Sequence, residues 1–252
     1  MSEVSTGYLG LPSPALFGHR GCRGAAPENT LAAFAIARDA KADGVELDVR
    51  PTRDGVLVVM HDPTLERTAS DPRAVAALDL AALASVRVDG ERVPTLEEVL
   101  RFCRVEGLAV NVELKRDVPS RVAATRLAAR LLGRAEPGKG LVVSSFDPVM
   151  LALFRALAPK VPTALLLEPD TDARYPLDAL APRLGRAVHP DRALVSEARM
   201  RSWKARGLWV AAWTVNDPHE QRRLVSLGVD ALICDDPFGA RRLLDETRDV
   251  RA

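Results

Sequence analysis

The 252-residue chain has three cysteines, Cys22, Cys103 and Cys234, and none stands in a Cys-x-x-Cys arrangement. Thiols so few and so far apart exclude a disulfide framework and a zinc knuckle. Net charge is equally scarce. Lys and Arg number 35 against 34 Asp and Glu, leaving +1, so no global field draws the chain to nucleic acid or to a membrane surface. Arg121, Arg126, Arg130 and Arg134 recur at helical spacing and read as one solvated helix face. No apolar run approaches the ~20 residues of a membrane span. The opening stretch MSEVSTGYLGLPSPA lacks a basic start and a long apolar centre, so it does not read as a signal peptide, and a cytoplasmic location is the expectation.

What is present is a regular alternation. With 47% hydrophobic residues the chain can bury a full core. Short apolar runs alternate with helical stretches from Ala15 onward. The strand-like runs are Ala15–Gly21, Gly44–Thr52, Leu108–Lys115, Leu141–Phe146, Thr163–Glu168, Ala187–His189, Leu208–Val215 and Ala231–Cys234. Helices are expected at Thr30–Lys41 (capped by Asn29 or Thr30), Thr95–Arg104, Ser120–Arg134, around Pro176–Leu184, at Ser196–Arg206 and at Pro237–Glu246. Two more open at Asp147-Pro148 and Asp217-Pro218, because proline fits the first helical position. After the second strand, the turn pair Asp54-Gly55 leads into an extended run, Val56–Asp62, beside it. Strict alternation predicts a parallel sheet, and eight units match a (β/α)8 barrel of ~250 residues. A doubly wound open sheet is disfavoured, since no Gly-x-Gly-x-x-Gly follows the first strand. The expected layout is a lead-in over residues 1–14, one barrel over 15–247 with a short insertion after the second strand region, and a tail over 248–252.

Barrel enzymes place their chemistry where strands end and the following loops begin. His19 and Arg20 end the first run, Glu46 and Asp48 the second, Glu113 and Lys115 the third, and Trp213 and Asn216 the seventh. Glu46 and Asp48 share a face because side chains alternate, and they lie ~6.6 Å apart along the strand. The deeper residue has the longer arm, so both carboxylates reach one point, and Glu113 reaches it from the next strand. Three converging carboxylates repel in a low dielectric unless a hard divalent cation joins them. All-oxygen ligation favours Mg²⁺ or Ca²⁺. His19 and His61 supply two imidazoles able to exchange protons near neutrality, while Arg20 and Lys115 are suited to phosphate. Each pair alone has a plainer explanation: a strand ion pair, a core histidine, a capped turn. Their common placement at strand ends favours metal-assisted phosphoester hydrolysis. An amidohydrolase-type barrel lacks support, because no His-x-His stands on the first strand.

GHRG and PENT within Gly18–Thr30, ELDVRPTRDGVLVVMHDPTLERT at Glu46–Thr68, VNVELK at Val110–Lys115 and AWTVND around Trp213 together resemble the glycerophosphodiester phosphodiesterase family over nearly the whole chain. The resemblance implies a barrel that splits glycerophosphodiesters, small molecules of lipid and glycerol metabolism, into an alcohol and glycerol 3-phosphate. Glu46, Asp48 and Glu113 would be metal ligands, His19 and His61 the acid–base pair, Arg20 and Lys115 the phosphate binders, with Trp213 and Asn216 in the substrate pocket. The chain departs from the family in ending its last strand Ile233-Cys234-Asp235 in place of Ile-Thr-Asp, which makes Cys234 a packing residue and Asp235 a supporting carboxylate. Cys22 reads as a loop filler, with Arg20 nearby to lower its pKa, and Gly21 and Gly24 as a slim loop that lets substrate approach. The short segment Thr64–Pro94 leaves a more open mouth. That allows a lysophospholipase D activity, for which Leu9, Leu11, Leu16 and Phe17 are either acyl contacts or barrel-bottom packing. A non-catalytic barrel that binds a phosphorylated ligand is the third reading, and retention of both histidines speaks against it.

Overall fold

A computed structural model describes residues 7–135, 139–170 and 177–249. Eight parallel strands follow one another around a closed sheet: β1 (Ala15–Gly18), β2 (Gly44–Pro51), β3 (Ala109–Leu114), β4 (Leu141–Ser145), β5 (Thr163–Leu167), β6 (Ala187–Pro190), β7 (Trp209–Ala212) and β8 (Ala231–Cys234). β1 pairs with both β8 and β2, which closes the barrel. The main helices are α1 (Leu31–Asp39), α2 (Leu96–Glu106), α3 (Arg121–Leu132), α4 (Pro148–Leu157), α5 (Ala181–Leu184), α6 (Glu197–Ala205), α7 (Pro218–Ser226) and α8 (Pro237–Asp249). The expected (β/α)8 barrel is the observed fold. The start of the helix expected around Pro176 lies outside the described residues. From Leu177 the chain makes a 3₁₀ turn before α5.

Local chemistry explains where the helices begin. The Asp147 carboxylate accepts from the N–H groups of Val149 and Met150, and Asp217 does the same for His219 and Glu220. Thr95 and Glu98 form a reciprocal capping box on α2. α1 is capped by Thr30, which accepts from the Ala33 N–H; Asn29 is used elsewhere.

Period-two alternation splits each strand between two cores. Outward residues of β2 (Val45, Leu47, Val49) pack with Phe34 and Ala37 of α1 and Val99 of α2. Inside, Ala15, Ala109, Ala164, Ala187, Ala211 and Ala231 are all essentially fully buried around Tyr8. Their small side chains leave space at the barrel bottom for that ring, delivered by the turn Tyr8–Gly10. Tyr8 meets Phe17 edge-on at 5.6 Å and Trp209 at 5.8 Å between centroids. Gly44 makes room for Phe17, since a Cβ there would lie 2.5 Å from its ring.

The Asp54-Gly55 turn folds Leu57–Val59 back antiparallel to β2, with Val49 opposite Val59. Met60 N–H donates to the Asp48 carbonyl, so the next residue, His61, arrives beside the end of β2. Thr64–Pro94 then packs a small core of its own against Val58 and Met60, including Leu65, Val75 and Leu83. Its helical pieces are the brief turns Glu66–Ala69, Val75–Ala77 and Leu80–Leu83, followed by a two-stranded hairpin, Arg87–Val88 with Glu91–Arg92.

Candidate active site

The β2–β3 register places Asp48 beside Glu113 and Glu46 beside Asn111. Oxygen atoms of Glu46, Asp48 and Glu113 all lie within 4.8 Å of one another, and all three residues are buried. Lys115 Nζ sits 2.8 Å from Glu113 Oε1 and 3.3 Å from Asp48 Oδ1. Arg20 contributes twice. Its backbone N–H donates to Glu46 Oε2 at 3.0 Å, and its guanidinium Nε lies 3.3 Å from Asp48 Oδ2. Asn29 Nδ2 donates to the same Asp48 oxygen at 2.9 Å. Arg20 and Asn29 both adopt left-handed backbone conformations, at φ 53° and 60°, so this loop accepts strain to aim two donors at one carboxylate.

Electrostatics separates the three acids. Burial drives Glu46 well above the ordinary carboxylate range, and the charges of Asp48 and Glu113 add to it. Burial likewise raises Glu113 to about 7, against the opposing pull of Lys115. Burial works against charge on Asp48 too, but Lys115, Arg20 and His61 together hold it well below its usual value. Lys115 keeps its proton despite burial, because Glu113 and Asp48 face it.

Each histidine is held by its own carboxylate. His19 Nδ1 lies 2.6 Å from Asp235 Oδ1, and the other oxygen of Asp235 accepts from Asn216 Nδ2 at 2.8 Å. His61 Nδ1 lies 2.6 Å from Asp62 Oδ1, whose partner oxygen takes the Arg67 guanidinium. With Nδ1 engaged, Nε2 is the exchangeable position of each ring. In His19 it points toward Glu46 Oε2, 4.0 Å away. Burial lowers the pKa of His61, more than the Asp48 charge raises it, which favours the neutral ring. Glu28 ties the halves together by accepting from Arg20 and from Arg67.

Of these groups, His19, Arg20, Glu46, His61, Glu113 and Lys115 line a cavity of about 490 Å³ at the C-terminal end of the barrel. Its charged side is built by β1–β3. The opposite side carries the apolar Leu166, Ile233, Phe146 and Trp213, together with the Arg116–Glu168 ion pair. Phe146 and Trp213 meet edge-to-face at 5.5 Å, and the Trp213 ring is fixed by its Nε1–H bond to the His189 carbonyl. Two cations, two imidazoles and three carboxylates around one small cleft can bind a phosphodiester and move protons on both sides of its phosphorus.

The model of the glycerophosphoryl diester phosphodiesterase family matches residues 19–238. The chain belongs to this family. A glycerophosphodiester phosphodiesterase of Caldanaerobacter subterraneus is 30% identical over 228 residues, covering 87% of this chain and 93% of that protein. YhdW of Bacillus subtilis is 34% identical over 233 residues, covering 88% and 94%. Among solved structures, a phosphodiesterase of Oleispira antarctica in complex with the product sn-glycerol-3-phosphate superposes with a TM-score of 0.83 at 27% identity, over 92% of this chain and 97% of that one. Family membership makes the chain a phosphoric diester hydrolase. No helix among the described residues is long and apolar enough to cross a membrane.

Within this phosphodiesterase barrel, the structure brings His19, Arg20, Glu46, Asp48, His61, Glu113 and Lys115 together. Trp213 lines the cavity, but Asn216 does not. Its side chain is spent on Asp235, through the Nδ2 donor and through Oδ1, which accepts the Asp235 N–H. Gly21 serves packing, not substrate approach. It has φ 86°, and a Cβ there would sit 2.7 Å from the Ala33 backbone of α1. Cys22 is not activated by Arg20; burial and Asp236 push its pKa up. Leu11, Leu16 and Phe17 are buried in the barrel walls and bottom, half-buried Leu9 packs at the bottom, and none of the four lines the cavity.

Sequence reasoning missed Arg50. Its buried guanidinium donates to the His61 carbonyl and to the Asp117 carbonyl and carboxylate, clamping the loops that follow the β2 hairpin and β3. Period two carries the signal, since Arg50 continues the face of Glu46 and Asp48.

Proposed function

We propose that this chain hydrolyses glycerophosphodiesters to an alcohol and glycerol 3-phosphate, with one divalent cation held by Glu46, Asp48 and Glu113. The observation that carries this reading is the pair of carboxylate-braced histidines flanking one acidic triad. The triad fits a hard cation on its own chemistry. Its donors are all oxygen, and burial leaves Glu46 and Glu113 reluctant to ionise beside Asp48 without further positive charge. A cation bound there would supply neutralisation of the phosphodiester charge.

This chain's residues do the rest. Arg20 and Lys115 hold the phosphate oxygens, and the Phe146–Trp213 wall excludes water from one side of the cleft. One imidazole takes the proton from the attacking hydroxyl, either the glycerol 2-hydroxyl or a water, as the new P–O bond forms. The other gives a proton to the departing alcohol oxygen as the old P–O bond breaks. If the 2-hydroxyl attacks, a cyclic phosphate results, and the same pair opens it with water in exchanged roles. Asp62 and Asp235 act through their histidines by fixing tautomer and orientation.

The test is product identity. Glycerophosphocholine should yield glycerol 3-phosphate and choline. Release of phosphocholine and glycerol, or no turnover of any glycerophosphodiester, would contradict the assignment.

A further inference from the structure

His189 is the most deeply buried histidine, at 0% exposure, and it takes no part in the proton transfers above. It lies inside the barrel on β6, below the cavity. Its Nε2 is 2.8 Å from the Tyr8 hydroxyl, and its Nδ1 faces Asn111 Nδ2 at 3.5 Å. In this orientation of the Asn111 amide its nitrogen can only donate, so Nδ1 accepts and Nε2 carries the ring proton. Tyr8 Oη then accepts from Nε2. Burial supports this neutral form by lowering the ring's pKa to about 3.

The consequence appears on the other side of Asn111. With its nitrogen committed downward, its Oδ1 is left buried and without a partner, and the hydroxyl of Ser144 is left in the same condition. Both residues line the floor of the active-site cavity, and both are at most 1% exposed. They come from adjacent strands, with Ser144 beside Glu113 in the β3–β4 register. Buried oxygens without partners are costly and uncommon. An unpartnered acceptor and an unpartnered hydroxyl at diagonal positions on adjacent strands are complementary to a ligand C–O–H, which donates to the first and accepts from the second.

We propose that Asn111 and Ser144 are the specificity floor of the site, binding the terminal hydroxyl of the glycerol arm, and that Tyr8 and His189 position Asn111 for this contact. The inference rests on the phosphodiesterase reading. With phosphate held at Arg20 and Lys115, the terminal hydroxyl is the glycerol atom that reaches deepest. The 2-hydroxyl stays level with phosphorus and the histidines. The fold thereby uses its N-terminal plug to set which substrate arm enters the barrel.

The experiment compares kcat/KM for glycerophosphocholine with that for the analogue in which propane-1,2-diol replaces glycerol, keeping the 2-hydroxyl and losing the terminal one. The wild-type ratio should be roughly 10- to 100-fold in favour of glycerol, the range expected when a buried donor and acceptor lose their partner. Ser144→Ala should bring the ratio to within several-fold of unity, chiefly by raising KM for the glycerol substrate. Tyr8→Phe removes the acceptor for Nε2–H, frees the ring tautomer and lets the Asn111 amide turn over. It should lower the ratio while the protein stays folded. A purely structural plug would change the melting temperature and leave the ratio alone, overturning the role of Tyr8 and His189. Equal cleavage of both diesters by wild type, or a high ratio untouched by Ser144→Ala, would overturn the floor assignment while leaving the phosphodiesterase reading intact. Cleavage of neither would sink that reading, and the inference with it.

Discussion

Lys115 bridges two of the three acids that would hold a cation, lying 2.8 Å from Glu113 and 3.3 Å from Asp48. The ammonium neutralises charge that the barrel interior would otherwise not tolerate, and a divalent cation must share those oxygens with it. Lys115→Met should therefore tighten Mg²⁺ or Ca²⁺ binding at pH 8, measured by titration calorimetry, while raising KM for the diester roughly 10- to 100-fold through loss of a charged contact. Weaker cation binding with an unchanged KM would assign Lys115 to the triad alone.

Glu113 sets the pH dependence of that binding. Its pKa is raised to about 7, so below pH 7 it carries a proton that a cation must displace. Affinity should rise with pH through this range, by ~10-fold per unit for the Glu113 proton and more steeply where Glu46, also raised by burial, still holds one. At pH 6 binding should release protons, read from calorimetry in buffers of different ionisation enthalpy. Binding independent of pH between 5.5 and 7 would place the cation away from Glu113.

The two Asp–His pairs should behave unequally. Asp62 is bonded directly to Arg67, a cation, whereas Asp235 is bonded to Asn216, a neutral amide, with the Arg23 guanidinium further off at 3.7 Å. His19→Ala and His61→Ala should each cost about 10²–10⁴ in kcat. Asn216→Ala leaves Asp235 bonded to His19 but freer to rotate, so a smaller loss is expected, with a displaced limb in the pH–rate profile. Rates and profile identical to wild type would return Asn216 to a purely structural role.

His189 makes the fold sensitive to acid. Its pKa falls from 6.5 to about 3 on burial, so between these values the unfolded chain binds a proton that the folded chain refuses. Stability from this site is therefore complete above pH 6.5 and is lost as pH falls toward 3. Between pH 7 and 5 the loss is roughly 2 kcal/mol, at ~1.4 kcal/mol per unit. Urea denaturation should show a smaller drop over that interval in His189→Gln than in wild type; equal drops would contradict the buried neutral imidazole.

The parts of this site that were legible in the sequence share a local signature. Glu46 with Asp48 and Glu113 with Lys115 stand at spacing two near predicted strand ends, and alternation alone puts each pair on one face. The barrel followed from the strict order of runs. Arg50 escaped although it carries the same period-two mark; the other contacts that escaped have none. His19 meets Asp235 across 216 residues and Tyr8 meets His189 across 181, contacts that exist only once the barrel closes. Asn29 was ambiguous because an asparagine before a helix caps as readily as it ligates. Thr30 took the cap, and Asn29 was released to Asp48. Gly21 misled in the same way, since a glycine is equally compatible with an open loop and with close backbone packing.

The most direct test of the central claim is glycerol 3-phosphate release from glycerophosphocholine by protein stripped with a chelator and then reloaded. Release should collapse on stripping and return with Mg²⁺ or Ca²⁺ in wild type, and Glu46→Gln reloaded in the same way should recover little of it. Undiminished release in excess chelator would contradict that claim.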